Sequence, residues 1–69
     1  MADDLTYLAR ADEHIAGAKE RIVKQRQLIA RLTATGHNVR AEEGFLSALV
    51  DLLSTFEHHR LLILNRLRP

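Results

Sequence analysis

Cysteine is absent from these 69 residues, so disulfides and thiolate metal sites are excluded. A chain this short buries only a modest core, and self-association is the common supplement that remains. The lack of thiols also fits a reducing compartment. Tryptophan is missing, and the aromatics are Tyr7, Phe45 and Phe56 alone. They leave little for the stacking platforms that hold single-stranded nucleic acid or for aromatic ligand pockets. No apolar run approaches the roughly 18 residues of a membrane span, and the opening Met1-Ala2-Asp3-Asp4 is acidic where a targeting signal would be basic. The expectation is a soluble cytoplasmic protein that does not engage membranes. Charge of one sign is not in excess either: the formal net charge is +1, and the whole-molecule field gives no reason to expect nucleic acid. There are three glycines and no glycine-rich phosphate loop. Ser47 and Ser54 lack histidine and acid partners at workable spacing, so nucleophilic catalysis has no support and the chain reads as a non-enzyme without cofactors.

What the sequence has is a seven-residue spacing of branched aliphatics. Leu8, Ile15, Ile22 and Ile29 take heptad position a, and Ala11, Ala18, Gln25 and Leu32 take d. The pattern predicts a helix over about 4–35, capped by Asp3 or Asp4. Gly36 supplies a left-handed residue to end it, and Asn38 caps the next helix, which makes 36–38 a tight turn. That second helix is expected over about 39–66, with Val39, Leu46, Leu53 and Leu67 at a and Leu49, Phe56 and Ile63 at d. Arg60 interrupts the a row and Glu42 the d row. A short connection makes the helices antiparallel. Folding back at Gly36 sets Leu8 beside Ile63, Ile15 beside Phe56, Ile22 beside Leu49 and Leu32 beside Val39.

Charge agrees with that topology. Asp3, Asp4, Asp12 and Glu13 would lie near Arg60, Arg66 and Arg68, while the basic stretch from Lys19 to Arg31 would face Glu42, Glu43 and Asp51. Acids gather at helix N-termini and bases toward C-termini, as the macrodipole favours. The second stripe is wider than one partner helix can cover. Phe45, Val50, Leu52, Leu61, Leu62 and Leu64 form the surplus. The fold class expected is therefore all-α: a single-domain antiparallel hairpin that dimerises through those six residues into a four-helix bundle.

Three local features invite a site. His14 and His59 would oppose each other with Glu57 adjacent, and two imidazoles plus a carboxylate are acceptable zinc ligands or a proton-sensitive pair. No HExxH or ExxH pattern supports a metal, and His58 points roughly 100° from His59 on a 3.6-residue helix; the plain alternative is a wet edge of the packing. Arg10, Arg21, Lys24 and Arg31 make a cationic ridge that could track a phosphate backbone. Its alternative is a solvated face neutralised by Glu42, Glu43 and Asp51. Gln25 either sets register from inside the seam or reaches the bundle edge with its amide. The segment Arg60 to Arg68 mixes leucine with arginine as a membrane-surface helix does, but only about two turns carry the pattern, and burial against a second subunit accounts for it.

The run His14-Ile-Ala-Gly-Ala-Lys-Glu-Arg-Ile-Val-Lys-Gln-Arg-Gln-Leu-Ile, with Thr35-Gly-His-Asn and His59-Arg, resembles short uncharacterised bacterial helical-hairpin proteins. That resemblance implies the hairpin fold and no activity. In outline the chain also resembles Rop-like hairpins, which dimerise into four-helix bundles and bind paired RNA loops, although no RNA-contacting residue carries over. The functional expectation is a homodimeric protein-interaction or regulatory module, with a Rop-like RNA-binding dimer as the alternative.

Overall fold

A computed structural model describes residues 3–69. Two helices account for nearly all of it, α1 (Asp4–Ala34) and α2 (Arg40–Leu67), folded back on each other as a hairpin. The Asp3 carboxylate begins α1 by accepting a hydrogen bond from the Thr6 amide at 2.8 Å, which satisfies one of the free donors of the first turn. That bond, with smaller help from the Thr6 side chain, holds the Asp3 carboxyl below its ordinary value.

The end of α1 is a Schellman arrangement. Gly36 adopts φ 79°, the His37 amide donates to Leu32 O at 2.9 Å and the Gly36 amide donates to Thr33 O at 3.1 Å. These bonds engage carbonyls of the last turn, Leu32 O accepting also from the Thr35 amide and hydroxyl, and glycine occupies that φ without strain. The helices stop one residue short of the expected turn on each side, because Thr35 belongs to this cap and Val39 precedes the first residue of α2. The N-cap position of α2 falls to Val39, which makes no side-chain cap bond; Asn38, the expected cap, lies one residue earlier, where its side-chain oxygen accepts from the Arg40 amide at 2.9 Å in an Asx turn. Acids occupy the first turns (Asp4; Glu42 and Glu43) and arginines the last (Arg31; Arg66).

Side chains pin the register along the whole hairpin. Near the turn, Gln25 donates from Nε2 to the backbone carbonyl of Glu42 at 3.0 Å. Gln25 therefore acts within the seam, using the second lone pair of a carbonyl already engaged in its helix. Toward the open end, Arg60 Nε donates to Asp12 Oδ1 at 2.6 Å and Arg66 meets Asp4 at 3.3 Å. Arg60 does not break the packing at its a position; its stem is half-buried and its head reaches the edge, as long cations do.

Among the described residues the buried core consists of Ala11, Ala18, Ile22, Leu49 and Ile63, of which Ile63 alone is a large side chain with no exposure. All five lie at the expected a and d positions. The small alanines let α2 approach closely. The result is a rod of 55 × 17 × 14 Å with a radius of gyration of 16.0 Å, against about 11 Å for a compact domain of this length.

Candidate interaction surface

Each helix advances roughly 100° per residue, so the residues flanking the a/d seam fall on two opposite sides of the hairpin. Two shallow grooves mark those sides. The first is lined by Glu13, His14, Gly17, Ala18, Arg21, Leu52 and Phe56. The second is lined by Asp12, Ile15, Lys19, Glu57, Arg60 and Leu61.

The six residues expected to serve self-association divide between these sides, as their heptad positions require, with Phe45 and Leu52 at g and Val50 and Leu64 at e. Leu52 lines the first groove, Phe45 stands one heptad before it on the same row, and Leu62 joins that side three residues beyond the next heptad position. Leu61 lines the second groove, and Val50 and Leu64 share the row of Glu57. Phe45 at 56% and Leu61 at 57% are the most exposed of the six, whereas Leu64 is half-buried and the hairpin already hides part of it. The reason for the division is geometric: positions e and g lie on opposite flanks of a helix whose a/d face is in use.

Surface area gives the scale of what remains open. The chain exposes 5374 Å², and a folded monomer of this size is expected to expose about 4,400 Å². The surplus of roughly 1,000 Å² is comparable to the ~800 Å² that each partner contributes to a standard interface.

The histidines behave differently from the zinc reading. The His14 ring lies against Phe56, with centroids 5.1 Å apart and planes inclined by 31°. Among the described residues no group of three or more histidine, aspartate or glutamate side chains is placed to hold a metal ion, so His14, His59 and Glu57 do not assemble one. His37, which the periodicity left unassigned, lies 2.8 Å from Thr35 Oγ1 through Nδ1 and belongs to the turn.

Arg10, Arg21, Lys24 and Arg31 are all exposed. The facing acids expected to neutralise them do not: among the described residues no ion pair links this ridge to Glu42, Glu43 or Asp51. Lys24 instead pairs with Glu20 on its own helix at 3.1 Å. Glu42 is half-buried and offers its backbone carbonyl to Gln25 rather than its carboxylate to a cation.

These features define a class: a two-helix antiparallel hairpin with a thin core and two open flanks, one apolar and aromatic, the other more charged. No described helix is long and apolar enough to cross a membrane. In comparison with known proteins, the chain matches no family model, no curated protein and no solved structure.

Proposed function

We propose that the chain is a non-catalytic interaction or regulatory module that works as a homodimer in the cytoplasm, two hairpins making a four-helix bundle. The observation that carries this reading is the match between the surplus surface and one protomer's share of a standard interface. Exposed Phe45, Leu52 and Leu62 supply the apolar area, and the small core among the described residues explains why a second layer is needed. Sedimentation equilibrium across a concentration series, with thermal melts on the same samples, tests it. A dimer whose melting point rises with concentration is expected; a monomer that melts cooperatively at every concentration overturns it.

A second reading has one observation in its favour. Arg10, Arg21 and Arg31 have no carboxylate partner among the described residues, as an RNA-binding ridge would require. Association with a paired RNA loop that weakens steeply between low and moderate salt would support it. Salt-insensitive or undetectable RNA association would remove it.

A further inference from the structure

We propose that the flank carrying the Gly17 groove seats a second copy of this chain, with the two turns at the same end of the bundle. The proposal rests on the homodimer reading and adds which face is used and in which orientation.

Composition separates the two flanks. Beside the second groove the positions next to the seam hold five charges, Asp12, Lys19, Arg26, Glu43 and Glu57, among the apolar Leu5, Val50 and Leu64, and a partner would have to desolvate those charges. On the opposite flank the corresponding positions are Tyr7, His14, Arg21, Leu28, Phe45, Leu52, His59 and Arg66. All three aromatics of the chain lie there, since Phe56 also lines the first groove. Interface centres are enriched in aromatic residues and depleted of charge. The groove itself sits midway along the rod, and a Cβ built on Gly17 meets nothing within 4 Å. Gly44 is equally open, so the glycine alone is not the argument; the apolar floor of Ala18, Leu52 and Phe56 beneath Gly17 is.

Charge then selects the orientation. This flank carries Arg10, Arg21, Lys24 and Arg31 of α1, and its seam-flanking positions hold no acid on either helix, Glu13 standing one row further out at the groove rim. If the two turns lay at opposite ends, α1 would stack on the partner's α1. Lys24 would come level with the partner's His14 and Arg21 with the partner's Gly17, so both cationic ridges would line one seam with no acid between them, an arrangement that opposes association. With the turns at the same end, α1 stacks on the partner's α2. Arg10 then comes level with the partner's Leu62, Lys24 with the partner's Ala48, Leu28 with the partner's Phe45 and Arg31 with the partner's Ala41. The arginine stems cover apolar atoms while their heads stay in water.

The absence of cysteine makes the test direct, because His37→Cys in the full-length chain gives a single thiol at the tip of the turn. Spin labels there, read by pulsed electron resonance on the dimer, are expected within about 25 Å of each other, the reach of two helix layers spaced 8–10 Å apart. A separation approaching the 55 Å length of the rod overturns the orientation. The face is tested by substitution. Leu52→Lys and Gly17→Leu should each raise the dimer dissociation constant by more than about tenfold, while Leu61→Lys on the other flank and Gly44→Leu leave it unchanged. A Cβ at residue 17 meets nothing within 4 Å of its own hairpin, and retained helicity by circular dichroism separates loss of dimer from loss of fold in Gly17→Leu. A dimer broken by Leu61→Lys and indifferent to Leu52→Lys overturns this face yet keeps the homodimer. A wild-type monomer overturns both, and exclusive capture of an acidic helix from another protein by this flank would replace the second copy as occupant.

Discussion

Single residues carry unequal weight here. Ile63 is the one large side chain with no exposure, and Ile63→Ala is expected to cost roughly 2 to 4 kcal/mol, the range for deleting buried aliphatic atoms. Chemical denaturation would show it, and in so small a core the variant should be largely unfolded at dilute concentration. Gln25 behaves differently, since its acceptor, the Glu42 carbonyl, keeps its helical partner when the amide is removed. Gln25→Ala should therefore cost only about 1 kcal/mol, one hydrogen bond without an orphaned group left behind. A loss above about 3 kcal/mol in the same measurement would mean that the amide holds more than this bond. The seam position of Gln25 was legible from the heptad, but its partner was not. A side-chain-to-backbone bond depends on the exact rise of one helix past the other, which spacing alone does not encode.

At the scale of the elements, caps and glycines decide the limits of α1 and α2. Gly44 lies within α2 with open space around it, so Gly44→Ala should raise stability by up to about 1 kcal/mol through helix propensity alone, visible as a higher melting point with unchanged association. The Asp3 cap links helix stability to pH. Its carboxyl is lowered in the folded chain by the Thr6 amide from an ordinary value of 3.8, so its contribution is fully present above that value and is lost as pH falls through the lowered one. Wild type and Asp3→Ala should accordingly differ in melting temperature at neutral pH and converge in strong acid; a difference that persists there would point to a role other than the charged cap. Helix ends were readable to within a residue because Asp3, Gly36 and Asn38 are chemically committed to capping. The residual error arose where the Schellman turn drew Thr35 out of α1 and where Val39, not Asn38, took the N-cap position of α2.

For the whole molecule, the thin rod and its surplus surface govern behaviour. A dimer held by Phe45, Leu52 and their partners should be only weakly sensitive to salt, since apolar burial is not screened as exposed charge is. Dissociation constants measured at low salt and at roughly 0.5 M should agree within about threefold if the cations sit at the rim rather than in the seam. A steep loss of the dimer in salt would place ion pairs, not apolar contacts, at its centre.

Heptad spacing, turn chemistry and charge order determined by themselves that this chain is an antiparallel helical hairpin, and which residues form its seam. They could do so because each is a local signal that repeats along the helix. Tertiary structure alone decided two things: that His14 rests on Phe56 instead of completing a histidine cluster, and that the basic ridge is left without facing carboxylates among the described residues. Each depends on the rotation of one helix about its axis relative to the other, and that angle is set by how the buried Ala11, Ala18, Ile22, Leu49 and Ile63 fit together across the seam rather than by any single stretch of sequence.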